Sequence, residues 1–315
     1  MSKIVSTGSY LPADIVTNTQ LVEQTGIDSS DEWISQRTGI KQRHFASADE
    51  SLAHIASKAV ENALERYGQD IRDEINLIVL ATMSSHNPTP AVASQVQDIL
   101  GIKETWAFDI SGACAGFVMA TEVAEKISRD YTSGYTLVIG AEKMSSILDF
   151  SDRSTSILFG DGAGAVLIQN DGQGLPNYRS ELSSIPDRKD SIVVDPESDE
   201  TDKMTMSGHD VFNFVVRKII PSLSRFIQRE ASDFDYLLSH QANERLVGIM
   251  VDKLEIDVEK APVNIDRTAN TSAASIPILW DELIQDGTLK LQGSQKVVLT
   301  GFGGGLSWGH VTFDI

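Results

Sequence analysis

Short apolar runs recur along the chain at a regular interval. Residues 77–81 (Leu-Ile-Val-Leu-Ala) are followed by 137–140 (Leu-Val-Ile-Gly), and residues 236–240 (Tyr-Leu-Leu-Ser-His) by 297–301 (Val-Val-Leu-Thr-Gly). The start-to-start separations are 60 and 61 residues. Such runs read as strands buried on both faces, and the helix-period segments between them supply the crossovers that parallel strands need. Each half closes on a further strand-like run, 165–168 and 310–313. The pattern predicts an α/β protein built from a duplicated unit. Its halves would be 1–170 and 171–315, joined at the polar Asn170-Asp171-Gly172-Gln173-Gly174.

Three helices are placed by their boundaries. Ser47 and Glu50 have the spacing of a capping box, and behind them Leu52, Ile55, Ala59 and Ala63 make one apolar stripe ending at Gly68. A second helix follows Cys114, with Phe117, Ala120, Ala124, Ile127 and Tyr131 on one face. A third covers 276–286, with Pro277 in its first turn and Gly287 just beyond. The acidic residues 195–200 lack the ligand spacing and turn glycine of a calcium loop and read as a solvated loop.

Composition sets limits. At 315 residues, 41% hydrophobic and 23% charged, the chain is ordinary globular protein, long enough for two domains or two fused halves. No window approaches the ~18 apolar residues of a membrane span. Lys plus Arg number 26 against 45 Asp plus Glu, a net charge of −19 that repels nucleic acid and anionic membranes. The N-terminus runs straight into strand-like residues, and the single cysteine cannot form an internal disulfide, so a cytoplasmic location is expected.

That cysteine is the first candidate for chemistry. Cys114 sits in Ser111-Gly112-Ala113-Cys114-Ala115-Gly116-Phe117, where the strand-like 106–110 gives way to a helix. Small neighbours allow close approach to the sulfur, and a helix N-terminus favours the thiolate. A buried structural cysteine is the competing reading. His240 ends a strand of the second half, where sites in open α/β folds lie, although a lone histidine also serves as a core residue. Asn270 lies 34 residues after its strand start and Cys114 lies 37 after its own, so the two open equivalent helices. A helix cap is the local alternative for Asn270. The remaining histidines show no metal-ligand spacing, and no metal is expected. Gly160-Asp161-Gly162-Ala163-Gly164-Ala165 matches a dinucleotide fingerprint by letter, but strand-like residues flank it and no helix follows to hold a pyrophosphate. The glycine-rich 301–309 offers backbone N–H groups for an oxyanion hole, or simply a tight turn.

Together, Ala113-Cys114-Ala115-Gly116-Phe117, His240-Gln241-Ala242-Asn243, Asn270-Thr271-Ser272-Ala273-Ala274-Ser275-Ile276-Pro277 and Gly303-Gly304-Gly305-Leu306-Ser307-Trp308-Gly309 closely resemble the β-ketoacyl-acyl carrier protein synthase III family. Ser30-Asp31-Glu32-Trp33-Ile34, Arg37-Thr38-Gly39-Ile40 and Phe159-Gly160-Asp161-Gly162-Ala163-Gly164 extend the resemblance over nearly the whole chain. It implies a thiolase-like fold, with duplicated βαβαβαββ halves in five layers, and a homodimer. It also implies a Cys-His-Asn set of Cys114, His240 and Asn270, shared with the chalcone synthase group, whereas elongating synthases, thiolases and hydroxymethylglutaryl-CoA synthases carry another third residue.

The implied reaction is acylation of Cys114 by an acyl-CoA, then condensation with malonyl-acyl carrier protein to start type II fatty acid synthesis. The oxyanion would lie between the N–H groups of Cys114 and Gly304. CoA thioesters are substrates, and no dissociable cofactor or metal is called for. By the same resemblance, Trp33 and Arg153 bracket the adenine and Arg37 lies near the phosphates. Gly208, Phe212 and Asn243 line the pantetheine tunnel, His209 is a further CoA contact, and Arg245 holds the carrier protein. Three positions depart from the common pattern: His209 for asparagine, Asn213 for lysine in the docking patch, and Thr89 where some relatives close the acyl pocket with phenylalanine. A small residue at 89 points to primers beyond acetyl. A condensing enzyme of secondary metabolism and a non-catalytic acyl-CoA-binding protein are the alternatives.

Overall fold

The computed structural model describes residues 1–194, 203–291 and 294–315; the acidic stretch 195–200 lies outside the described residues. Among them the strands are β1 (Lys3–Tyr10), β2 (Asp14–Thr17), β3 (Gln42–Phe45), β4 (Ile75–Ala81), β5 (Trp106–Ile110), β6 (Tyr135–Glu142), β7 (Gly162–Gln169), β8 (Arg179–Ser184), β9 (Ile192–Val194), β10 (Met204–Met206), β11 (Tyr236–Ser239), β12 (Lys296–Gly303) and β13 (Ser307–Asp314).

Two sheets repeat one topology. The first runs β1-β7-β6-β4-β5 and the second β8-β13-β12-β11, with two-stranded ribbons β2-β3 and β9-β10 beside them. The central pairs β4–β6 and β11–β12 are parallel, while β1–β7, β6–β7, β12–β13 and β13–β8 are antiparallel. The runs spaced 60 and 61 residues apart are these parallel partners: Ile78 pairs with Leu137, and Leu237 with Val298.

The halves differ at one place. Where the first has β5, the second turns through the short helix Ile265–Thr268 and adds no strand. Pro262 has no N–H for a ladder, and Asn264 gives its N–H to the Gln241 side chain at 3.3 Å.

Helices make the other three layers. Leu52–Tyr67 and Val92–Ile99 cover the outer face of the first sheet, burying Ile55, Ala59 and Val96 against Ile78, Leu80 and Ile139. Gly116–Ser128 and Ser275–Gln285 fill the space between the sheets, where Phe117, Ala120 and Trp280 meet Val138, Leu299 and Phe313 in one apolar core. Ile220–Glu230 and Glu244–Leu254 cover the second sheet through Phe226, Leu246 and Met250. No helix among the described residues is long and apolar enough to cross a membrane.

Glycines set the closeness of the middle layer. A Cβ on Gly140 would lie 2.4 Å from the Ala273 carbonyl oxygen, and one on Gly164 2.6 Å from the Pro277 carbonyl carbon. The fingerprint-like 160–165 therefore packs a strand against a helix; Gly162 onward is β7, and no helix follows.

The first-half helix starts later than the capping box predicts. Ser47 Oγ and Glu50 do bond, at 2.9 Å, but the helix begins at Leu52, with Ser51 Oγ accepting the His54 N–H at 3.1 Å. Lys143 Nζ takes the Ser47 and Glu50 carbonyls at 2.9 and 2.7 Å, and Tyr10 Oη donates to Glu50 at 2.6 Å. With these carbonyls held from outside, the segment forms a turn.

Candidate active site

The nucleophile turn follows from the strand before it. β5 ends at Ile110, Ala113 takes a left-handed φ of 45°, and the 3-10 turn Ala113–Ala115 leads into Gly116–Ser128. The end of β12 presses on it: a Cβ on Gly303 would lie 2.7 Å from the Cys114 nitrogen. Cys114 is thereby buried, and burial pushes its thiol up to about 12, aided by the nearby Glu142 and opposed by a hydrogen bond to Ser272. The helix N-terminus expected to favour thiolate is outweighed by desolvation.

His240 leaves β11 with its N–H donating to Thr300 of β12 at 2.8 Å. Its Nδ1 lies 2.7 Å from Ser275 Oγ, and its ring meets Phe302 edge-on, 5.3 Å between centroids. Desolvation lowers its pKa to about 3, so the imidazole is neutral at physiological pH. Asn270 is fixed by its backbone, donating to Leu158 at 2.9 Å and accepting from Gly160 at 3.1 Å. Its Oδ1 accepts the Ser272 N–H at 2.8 Å, as a cap would. Its Nδ2 has no partner among the described residues.

Cys114, His240 and Asn270 line a single cavity of about 160 Å³. A second and wider one, about 720 Å³, meets it at the nucleophile turn and is lined by Met83, Ala113, Ile147 and Gly304, with Ile192 common to both. The arrangement combines a sulfur nucleophile, a neutral imidazole and an amide, with space on either side.

Other expected residues fall into groups. Arg37, Gly208, Phe212, Asn243 and Arg245 line the first cavity. Asn243 also ties two elements together, accepting the Arg245 N–H at 2.9 Å and donating to the Arg37 carbonyl at 3.1 Å. The guanidinium carbons of Arg37 and Arg153 each lie 4.7 Å from the Trp33 ring centroid, and Arg153 donates to the Asp28 carbonyl at 2.6 Å. Trp33 and Arg153 are thus in direct contact, without a slot between them for an adenine. His209 is exposed, paired with Asn213 at 2.9 Å, and does not line the cavity. Thr89 is exposed on its loop and lines neither cavity of its own chain.

Ser272, Ser275 and Glu142 belong to the site and were not singled out by sequence. Ser272 and Ser275 lay inside the quoted asparagine motif. Glu142 announced itself only as a charge ending the apolar run of β6.

The model for 3-Oxoacyl-[acyl-carrier-protein (ACP)] synthase III matches residues 108–184, and that for its C terminal matches 226–315. The chain is similar to the beta-ketoacyl-[acyl-carrier-protein] synthase III of Streptococcus sanguinis, 41% identical over 100% of this chain and 99% of that one. It is 42% identical to that of Pectobacterium atrosepticum, over 98% of each. Its fold is similar to the 3-oxoacyl-[acyl-carrier-protein] synthase III of Aquifex aeolicus (TM-score 0.91, 36% identity, 100% of both chains). It is also similar to the priming beta-ketosynthase of the R1128 polyketide pathway (TM-score 0.91, 30% identity, 100% of this chain and 96% of that one).

Proposed function

The chain belongs to the 3-oxoacyl-[acyl carrier protein] synthase III family, a condensing acyltransferase of fatty acid biosynthesis, and from that premise we propose how its own residues carry the reaction. The Cys114 sulfur attacks the thioester carbonyl of an acyl-CoA, CoA leaves, and the acyl group stays on the enzyme. The backbone N–H groups of Cys114 and Gly304 hold the oxyanion. The acyl chain occupies the wider cavity of Met83, Ile147 and Ile192, whose aliphatic walls suit primers longer than acetyl.

Malonyl-acyl carrier protein then enters by the first cavity. His240 and Asn270 donate to its thioester oxygen while carbon dioxide leaves, and the enolate carbon attacks the acyl-cysteine to give 3-oxoacyl-acyl carrier protein. The observation that carries this reading is the meeting of these two neutral donors with Cys114 in one cavity. This role needs the tautomer in which Nδ1 accepts from the Ser275 hydroxyl and Nε2 carries the proton, so that the neutral imidazole donates to the enolate from Nε2. Neutral donors aimed at the developing charge leave no task for a metal or a dissociable cofactor.

Trp33, Arg37, Arg153, Gly208, His209, Phe212 and Asn243 bind CoA in this reading, with Arg153 swinging off Trp33 to admit the adenine. Arg245, at the cavity lining, receives the acidic carrier. The protein works in the cytoplasm, where its thiol stays reduced. It forms a homodimer through the outer edge of β5, where every residue is at least partly exposed and Trp106 is 56% exposed. Thr89 reaches an acyl pocket only across such a dimer.

Intact-protein mass after incubation with a panel of acyl-CoAs, with no malonyl substrate present, tests the cycle. One added acyl mass is expected on the wild type and none on Cys114→Ser. His240→Ala and Asn270→Ala should still acylate but fail to decarboxylate malonyl-acyl carrier protein. Acyl-CoA binding without any covalent acyl mass would overturn the reading in favour of a non-catalytic protein.

A further inference from the structure

Glu142 ends β6 fully buried and takes no part in the cycle above. Every group bonded to it is a donor. Ser84 Oγ lies at 2.5 Å and Thr82 Oγ1 and Ser272 Oγ at 3.0 Å, with the N–H groups of Met83 and Ser84 at 3.1 Å and Ala273 at 3.4 Å. Backbone N–H groups can only donate, so this nest accommodates a carboxylate.

The Ser272 hydroxyl proton is committed to that carboxylate, which leaves the oxygen lone pairs for another donor. Cys114 Sγ supplies it, 3.4 Å from Ser272 Oγ, its one side-chain hydrogen-bond partner among the described residues. Ser272 is locked in place, with φ at 49° and its own N–H on Asn270 Oδ1. The path from sulfur through hydroxyl to carboxylate is continuous, and its polarity runs one way.

We propose that Ser272 and Glu142 form the proton relay that activates Cys114 for acylation, with Ser272 the catalytic residue that touches the sulfur and Glu142 the positioning residue acting through it. The inference rests on Cys114 being the acylated nucleophile. The thiol proton moves to Ser272 Oγ as the Ser272 proton moves to Glu142. The sulfur bonds to the thioester carbonyl carbon, and the carbon–sulfur bond to CoA breaks. The departing CoA thiolate takes a proton from water in the first cavity, and the proton held on Glu142 returns through Ser272 to the Cys114 sulfur when condensation frees it, which leaves Glu142 ionised again. Burial raises both the thiol and the carboxyl, so the acceptor is more basic than an exposed carboxylate.

Electrostatics alone predicts the opposite effect of removing the carboxylate. The Glu142 charge raises the thiol pKa, so its loss without a relay would favour the thiolate and speed acylation. The experiment is single-turnover acylation by saturating acyl-CoA, followed by intact mass, for wild type, Glu142→Gln, Ser272→Ala and the double variant. The maximal acylation rate should fall at least about a hundredfold in each single variant, the lower range for a lost proton-transfer group. The half-saturating acyl-CoA concentration should stay unchanged, and the double variant should be no slower than the slower single one. Single variants acylating within twofold of wild type, or faster, would overturn the relay. Should Glu142→Gln not fold, Ser272→Ala decides alone, because it removes one oxygen and leaves the other donors to Glu142 in place. A wild type that never acquires acyl mass would instead remove the functional reading beneath the inference.

Discussion

Two histidines show how burial decides chemistry residue by residue. His240 and His310 are both held neutral by desolvation, with pKa values lowered to about 3 and about 4, yet only His240 faces the cavity. His310 lies inside β13, its Nδ1 2.9 Å from Thr300 Oγ1 and its Nε2 buried without a partner among the described residues. Its folded pKa is below its unfolded one, so unfolding takes up a proton between about pH 4 and the ordinary 6.5. The protein therefore loses stability as pH falls through this window, by about 2 kcal/mol at pH 5 from this one residue. Glu142 and Asp161, whose carboxyls burial raises, act in the opposite sense, so the informative quantity is a difference between proteins. The stability change from pH 7 to pH 5, measured by urea unfolding, should be smaller by about 2 kcal/mol in His310→Gln than in wild type. Equal changes would mean that His310 is protonated in the folded state. Sequence separated these histidines by position, since His240 ends its strand-like run and opens the His-Gln-Ala-Asn pattern whereas His310 begins one, but it could not show that both are held neutral by burial. Ser272 and Glu142 were less legible, since their roles arise from contacts across 130 residues of chain.

Elements were legible where periodicity and stop signals agreed. The helix Ser275–Gln285 lies where its pattern placed it, Gly116–Ser128 starts as expected but stops before Tyr131, the last residue of its stripe, and the strand spacing gave the parallel partners of both sheets. The start of Leu52–Tyr67 is not where the local pattern puts it, because Ser47 and Glu50 satisfy that pattern while Lys143, far along the chain, donates to their carbonyls. The strand missing from the second half was hidden in the same way, since it depends on a bond from Asn264 to Gln241. The helix start carries a direct consequence. Ser51→Ala should cost about 1 kcal/mol, the usual value of a lost N-cap bond. Ser47→Ala should cost less, because its hydroxyl serves an exposed turn already held by Lys143 and Tyr10. Urea denaturation of the two variants checks this, and a larger loss for Ser47→Ala would return the cap to the position that the motif suggested.

At the scale of the molecule, charge and shape favour different partners. A net −19 opposes an acidic carrier, so in the proposed reaction docking falls to local cations, for which Arg245 at the cavity lining is the candidate. A second copy carries the same net charge and must be held by something else. The outer edge of β5 offers it. β4, inside the sheet, is almost wholly buried, whereas each residue of β5 is at least partly exposed and Trp106 projects with its ring 5.3 Å from Phe108. An unpaired edge bearing a large aromatic side chain is a template for another strand. β5 also runs directly into Ser111, Gly112 and the strained Ala113, so whatever steadies the strand steadies the turn that holds Cys114. Two such edges paired about a two-fold axis would join the first sheets of both copies and place both nucleophile turns beside the contact. Trp106→Lys puts a charge on that edge without touching either cavity. Sedimentation should then change from twice the 34.3 kDa protomer mass in wild type to the single mass in the variant. The acylation rate should fall with it, although Cys114, His240 and Asn270 are intact. A variant that stays paired and acylates at the wild-type rate would show that the copies meet elsewhere. A monomer with full acylation would show that the turn needs no second copy to hold its shape.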